Sequence, residues 1–428
     1  MKILEPDLVW VNGAFQSGYQ VELCDDGTFG RIASHLGKPT ERLNRQALLP
    51  GMVNAHSHAF QRGLRGKAES FEAGGGTFWS WREEMYRLAN TLDAERFHRL
   101  SLLAFEEMLR AGITTVGEFH YVHHLEGSRG YELDEALVRA ATEAGIRLVA
   151  LDVCYLSGDV SKPLGKEQRR FGSKSVDVFL ESAERLGALL EGHQSLGLAA
   201  HSIRAVPIEA VVELHEAARA KGLVFHLHVE EQPREIEAAR SHYGKRPLAL
   251  LLDHLEIGSE LTAVHCTHSE SEELARFLAT GANVCVCPLT EASLADGIPP
   301  ALLAESSHLS LGTDSNLRID FGEEMRLLEY AQRLREKRRG VFTGRDGSVA
   351  ERLFRIATEG GSRSLGVRTG RVEEGYAADF FTLNLDAPSL AEAPVEELLT
   401  AFVFGADQSA IGAVAVGGVN IPGMGLTR

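Results

Sequence analysis

Two histidines one residue apart, His56 and His58, close a short apolar run, Leu48-Leu49-Pro50-Gly51-Met52-Val53-Asn54-Ala55. Side chains alternate between faces along a strand, so residues two apart share a face. A strand over 52–58 therefore sets the two imidazoles side by side and turns Ser57 away. Such a pair can offer two nitrogens to one metal ion, although alone it fits solvated loop histidines better. The rest of the chain tips the reading. Leu223-Val224-Phe225-His226-Leu227-His228 ends in a second His-x-His and runs into Val229-Glu230-Glu231-Gln232. Leu261-Thr262-Ala263-Val264 leads to His265, and Leu309-Ser310-Leu311-Gly312-Thr313 to Asp314. Nitrogen and oxygen donors without thiolate suit Zn²⁺ or Fe²⁺. Three histidines and one aspartate leave a position for water, whose pKa such an ion lowers towards ~7. The chemistry is hydrolytic and needs a proton carrier, for which Glu231 is well placed three residues beyond His228, with His265 to orient the water or steady developing charge. Each residue has a plainer use: His226 packed against a helix, Asp314 capping the next helix, Glu231 in a first helical turn.

Something must hold these residues at one place. Apolar runs at 114–118, 147–153, 196–201, 224–228, 261–266, 282–287 and 309–313, with the run into His56, make eight short strand candidates. Amphipathic stretches at 93–111, 132–145, 174–191, 207–221 and 269–280 lie between them. Strands alternating with helices predict a parallel sheet, and eight of them predict a (β/α)8 TIM-like barrel, which carries its chemistry at the C-terminal strand ends. The candidate ligands all fall at such ends. Leu8-Val9-Trp10-Val11 before Asn12-Gly13 is a hairpin signal. Val21-Glu22-Leu23-Cys24, Ala378-Asp379-Phe380-Phe381-Thr382-Leu383 and Ala413-Val414-Ala415-Val416 are similarly β-like. The expected layout is a barrel at 50–369 and a small β-sandwich domain built from both termini, 1–49 and 370–428, its C-terminal part short.

With 428 residues, 44% of them hydrophobic and 24% charged, the chain can bury one large core and a smaller one. A net charge of −16 argues against a nucleic-acid surface or a polybasic membrane patch, and leaves an anionic substrate dependent on local arginines. No apolar run approaches ~18–20 residues, so no membrane span is expected. Met1-Lys2-Ile3-Leu4-Glu5-Pro6 lacks the apolar region of a signal peptide, and Cys24, Cys154, Cys266, Cys285 and Cys287 follow no disulfide spacing. Both point to a reducing, cytoplasmic setting, with Cys285 and Cys287 as buried thiols on one strand face.

Pro50-Gly51-Met52-Val53-Asn54-Ala55-His56-Ser57-His58 resembles the strand-1 signature of the amidohydrolase superfamily, and His228, His265 and Asp314 follow in that superfamily's order. Further motifs are similar to the branch that deiminates formimidoylglutamate (N-formimino-L-glutamate). They are His58-Ala59-Phe60-Gln61-Arg62, Phe78-Trp79-Ser80-Trp81-Arg82-Glu83-Glu84-Met85-Tyr86, Glu118-Phe119-His120-Tyr121-Val122-His123-His124, His201-Ser202-Ile203-Arg204-Ala205-Val206 and Thr290-Glu291-Ala292-Ser293-Leu294-Ala295-Asp296-Gly297. The resemblance implies one zinc held by His56, His58, His228 and Asp314, with Glu231 moving protons and His265 and Asp314 assisting the water. It implies substrate contacts from Gln61, Arg82, Tyr121, His201 and Arg204. It also implies hydrolysis to N-formyl-L-glutamate and ammonia in histidine degradation, and a homodimer. Leu198-Ala199-Ala200-His201-Ser202 carries no lysine of the kind that bridges two metals, which favours a single ion.

The chemistry of a dianion agrees: two carboxylates want the fork geometry of arginine, which Arg82 and Arg204 supply. For Arg82, beside Glu83 and Glu84, a surface salt bridge is the competing use. Glu230 stands where a small residue is expected, and is read as facing solvent or perturbing Glu231; Ser315-Asn316-Leu317-Arg318 is also atypical. His120, His123 and His124 are taken as structural, Gly74-Gly75-Gly76 as a loop able to close over substrate, and Glu323-Glu324 as helix-dipole complementation. The alternatives are another deaminase of the superfamily acting on a purine, pterin or pyrimidine ring and, from a different class, a non-catalytic relic barrel.

Overall fold

The eight apolar runs become eight parallel strands. The structure is a computed structural model and describes residues 1–67, 69, 75–344 and 347–423. The chain opens with β1 (Lys2–Val11), β2 (Ala14–Ser17), β3 (Gln20–Leu23), β4 (Phe29–Ala33) and β5 (Glu41–Pro50). The barrel strands are β6 (Met52–Ser57), β7 (Ile113–His120), β8 (Arg147–Cys154), β9 (Gln194–Ser202), β10 (Phe225–Val229), β11 (Leu261–His265), β12 (Asn283–Val286) and β13 (Leu309–Leu311). The chain returns in β14 (Phe380–Asn384), β15 (Ile411–Val416) and β16 (Val419–Asn420). Around the barrel run α1 (Phe78–Asn90), α2 (Ala94–Arg110), α3 (Glu132–Ala144), α4 (Val176–Leu189), α5 (Ile208–Ala220), α6 (Pro233–Tyr243), α7 (Pro247–His254), α8 (Ser271–Ala279), α9 (Pro288–Ser293) and α10 (Phe321–Glu336).

The barrel strands pair in sequence order from β6 to β13, every residue of β6, β7, β10 and β11 buried, as a parallel sheet covered on both faces requires. Closure between β13 and β6 is made by the site residues themselves. Asp314 N–H donates to the His56 carbonyl (3.0 Å) and His58 N–H to the Asp314 carbonyl (2.8 Å). Asn54 adds two bonds to Thr313, accepting its N–H (3.0 Å) and donating to its hydroxyl (2.7 Å). Gly312 is needed here, because a Cβ would lie 2.8 Å from the His56 Cβ and 2.9 Å from the Cys287 sulfur.

The terminal strands form a second, separate sheet, mixed in direction and ordered β16-β15-β14-β5-β1-β3-β4, with β2 on β1. The β1–β2 hairpin turns at Asn12-Gly13, with φ of 53° and 82°, as the sequence predicts. Only Gly51 separates β5 of this sheet from β6 of the barrel. A partly buried ion pair fastens the two: Arg147, at the start of β8, donates to Asp379 before β14 at 2.6 and 2.9 Å. No helix among the described residues is long and apolar enough to cross a membrane.

One local expectation changes. Glu324 is buried in α10 and accepts the Leu289 N–H (2.9 Å), with burial raising its carboxyl well above the usual range; α10 is capped instead by Asp320. Asn316 braces the mouth, accepting from the Thr313 hydroxyl (2.7 Å) and donating to Ser57 (3.0 Å). Of the glycine loop, Gly74 lies outside the described residues, and Gly75-Gly76 precede Thr77, which caps α1. Cys285 and Cys287 are free and buried.

Candidate active site

Four side chains meet where β6, β10 and β13 end. His56 Nε2 lies 3.2 Å from His228 Nε2 and 3.6 Å from Asp314 Oδ1, and His58 Nε2 lies 3.3 Å from the same oxygen. The far nitrogens explain the orientation. His58 Nδ1 bonds the Phe119 carbonyl (3.0 Å) and His228 Nδ1 the His201 carbonyl (2.8 Å). A carbonyl only accepts, so these Nδ1 atoms carry the hydrogens and the Nε2 lone pairs point at one another. Converging lone pairs repel unless a cation lies between them. A tetrahedral ion with ligand distances of about 2.0–2.1 Å needs donors about 3.3–3.4 Å apart, which is what this set provides. Burial lowers all three imidazoles, His56 to about 3, and keeps them neutral, the form that binds a metal. His226 faces the other way, its Nε2 on the Ser364 carbonyl (2.9 Å).

Glu231 and His265 flank this cluster. His265 Nε2 lies 3.7 Å from Glu231 and 3.8 Å from Asp314. Burial would lower His265, but Glu231, the hydrogen bond its Nδ1–H donates to Glu291 (3.2 Å) and Asp314 outweigh it and raise the imidazole to about 10. Glu291 on α9, quoted in a motif but given no role, is thus the group that orients His265; it also accepts the Cys287 N–H (2.8 Å). Glu230, His265 and Asp314 all take left-handed backbone, with φ of 53°, 76° and 47°. Such strain concentrates at functional sites. The turn at Glu230 sends that side chain away from the cavity, where Arg246 grips it at 3.0 and 3.2 Å and the Leu248 N–H bonds it (3.2 Å). Glu230 does not face solvent; its buried ion pair anchors the loop that carries Glu231.

A cavity opens over the cluster, lined by His58, His228, Asp314 and Glu231 and by all five expected substrate contacts, Gln61, Arg82, Tyr121, His201 and Arg204. Phe78, Trp81, Tyr86, Tyr155 and Phe171 complete the walls. Gln61 donates to the Tyr121 hydroxyl (2.8 Å) and keeps its own carbonyl oxygen buried and unpartnered. Arg82 has no ion-pair partner among the described residues; it donates to the Tyr86 hydroxyl (2.6 Å) and lies 5.2 Å over the Trp79 ring. Sequence reasoning missed Tyr86, Tyr155 and Gln168, a network in which Gln168 donates to both hydroxyls (3.1 and 2.9 Å). Arg204 is the surprise: its Nη2 donates to Glu231 Oε2 at 3.0 Å, joining the expected substrate clamp to the expected proton carrier.

A barrel closed by the residues at its mouth, with neutral imidazoles converging there, defines a metal-dependent hydrolase architecture. The amidohydrolase family model matches residues 47–421, and the chain belongs to that family. It is 38% identical over 408 residues to a formimidoylglutamate deiminase from Pseudomonas aeruginosa, covering 93% of this chain and 89% of that protein. It is 30% identical over 385 residues to a 5-methylthioadenosine/S-adenosylhomocysteine deaminase from Archaeoglobus fulgidus, covering 87% and 84%. The crystal structure of an amidohydrolase from Brucella melitensis superposes with a TM-score of 0.90 at 32% identity, over 98% of this chain and 94% of that one.

Proposed function

We propose that the chain hydrolyses N-formimino-L-glutamate to N-formyl-L-glutamate and ammonia, a reaction of histidine degradation, using one zinc ion. The observation that carries this reading is that one cavity holds two arginines beside the converging imidazoles and Glu231. A dianion with an amidine-like head group needs that combination, and the 38% identity to a formimidoylglutamate deiminase supports it. His56, His58, His228 and Asp314 would hold the zinc, which supplies a Lewis acid that makes water nucleophilic near neutral pH. Glu231 takes one proton from the attacking water and delivers it to the imino nitrogen as the new C–O bond forms. His265 and Asp314 hold the oxygen of the tetrahedral intermediate. The second water proton passes to the same nitrogen through Glu231, the C–N bond breaks, and ammonia leaves as the carbonyl forms. Gln61, Tyr121 and His201 orient the formimino group, and Arg82 and Arg204 take the carboxylates.

The test is ammonia release by zinc-loaded protein from N-formimino-L-glutamate, N-formimino-L-aspartate, N-formiminoglycine and guanine. Fast release from the glutamate compound is expected. Turnover of guanine alone would overturn the substrate assignment in favour of a ring deaminase, a reading the aromatic walls and the Archaeoglobus relative would then support.

A further inference from the structure

Arg204 and Glu231 are both nearly buried, 7% and 6% exposed, and an ion pair of 3.0 Å between them occupies one Glu231 oxygen. The other oxygen lies 3.7 Å from His265 Nε2. For a proton carrier this is a resting arrangement, since the guanidinium engages one of the two carboxylate oxygens that could carry the proton. The remaining edge of Arg204 is unspent: its Nε is buried without a hydrogen-bond partner, 4.0 Å from Glu235 Oε2. Glu235, 1% exposed on α6, accepts the Glu231 N–H (3.3 Å) through the same oxygen and leaves Oε1 unpartnered. One guanidinium thus already faces two carboxylates, and burial, relieved in part by Arg204, raises Glu235 to about 7. A third carboxylate arriving in the cavity competes with both for this one cation.

We propose that Arg204 is a carboxylate-operated latch that sets specificity: it holds Glu231 until a substrate carboxylate takes the guanidinium, which releases Glu231 for proton transfer. The inference rests on the reaction proposed above. It makes the carboxylate a trigger as well as a handle. A molecule with the reactive head group but no carboxylate finds Glu231 still paired, so recognition and proton transfer are coupled through one arginine. With Glu235 behind it, the guanidinium keeps an acidic neighbour when Glu231 leaves.

The experiment uses zinc-loaded wild-type protein and Arg204→Met with formamidine, the head group alone, with and without glutarate, the dicarboxylate portion alone. A latch worth one charge-assisted hydrogen bond predicts that glutarate speeds wild-type formamidine turnover by about tenfold or more. Arg204→Met should turn over formamidine faster than wild type without glutarate and not respond to it, while losing turnover of N-formimino-L-glutamate. An arginine that only clamps substrate gives equal or lower formamidine rates in the variant and no response to glutarate, and overturns the latch. A second readout is structural: in crystals of the zinc-loaded protein with glutarate on Arg204, Glu231 is expected to have left the guanidinium, and a retained pair overturns the proposal. Wild-type turnover of N-formimino-L-glutamate in the same assay tests the reaction itself. Its absence sinks reaction and latch together, whereas its presence with a flat formamidine response sinks the latch alone.

Discussion

Among the described residues, two buried histidine–carboxylate clusters have nearly the same composition and are built for opposite purposes. At the mouth, His56, His58 and His228 converge with Asp314. On the barrel wall, His120, His123 and Asp134 converge with Asp152 nearby. The difference lies in which nitrogen carries the hydrogen. At the mouth, backbone carbonyls take the Nδ1–H groups of His58 and His228, and bare Nε2 lone pairs face inward. On the wall, hydrogens fill the centre: His120 Nε2–H and His123 Nδ1–H both donate to Asp134 Oδ1, at 2.8 and 3.0 Å, and His123 Nε2 donates to the Val153 carbonyl (3.1 Å). With an acceptor on each nitrogen, His123 is an imidazolium. Burial opposes that charge, but Asp134 and Asp152 overcome it and raise His123 to about 9, and the exchange holds Asp134 well below the usual carboxylate range. The partner of the far nitrogen decides whether a histidine becomes a ligand or a cation.

The sharpest way to break the comparison is to neutralise one aspartate in each cluster. Asp314→Asn removes a proposed ligand and should forfeit several kcal/mol of Lewis-acid assistance, a rate loss of about 10³-fold or more, together with the bound zinc. Asp134→Asn should leave the metal content at one ion per chain. Zinc that fell equally in both variants, measured by atomic absorption, would erase the distinction.

The wall cluster should show its purpose in stability. Asp134→Asn leaves a buried imidazolium with only Asp152, 3.7 Å away, and breaking a buried pair costs about 3–5 kcal/mol. Urea unfolding of zinc-free protein measures it, and a loss within about 0.5 kcal/mol, as at an ordinary surface site, would refute the pairing. The same charge predicts a pH dependence. The folded value of His123, about 9, lies above its ordinary 6.5, so the stabilisation is complete below pH 6.5 and is lost as pH rises through 9. The span corresponds to about 3 kcal/mol. His123→Asn should flatten the stability curve between those limits, and an unchanged slope would assign the titration elsewhere.

Much of this site was legible in the sequence because strand alternation is a strict rule. Two-residue spacing placed His56 beside His58, and the apolar runs located the ends that carry His228, His265 and Asp314. The same rule fails one residue later. Left-handed turns at Glu230, His265 and Asp314 reset which way the following side chain points, so Glu230 read as a neighbour of Glu231 when it is buried against Arg246. Contacts between distant loops left no local trace either: Asp134 meets His120 and His123 across a β–α connection, and Arg204 meets Glu231 across two strand ends. The terminal strands were recognisable by their turns, but their joining into one mixed sheet depends on β5 pairing with both β1 and β14, which no local pattern records.

The finest version of the comparison concerns Glu291, a contact at the mouth that resembles the wall. It gives His265 a carboxylate partner at Nδ1, as Asp134 does for His123, whereas the proposed ligands His58 and His228 have carbonyls there. His265 therefore belongs electrostatically with the wall histidines while standing beside the metal cluster, which suits a group that steadies negative charge and binds no ion. Glu291→Gln keeps an oxygen for the His265 Nδ1–H and the Cys287 N–H but removes the charge behind the imidazole. Zinc content should stay at wild-type level while kcat falls by about tenfold, the lower end for groups that orient an active residue. Equal losses of zinc and kcat would make His265 a ligand held by Glu291, and would move it from the wall's chemistry to the mouth's.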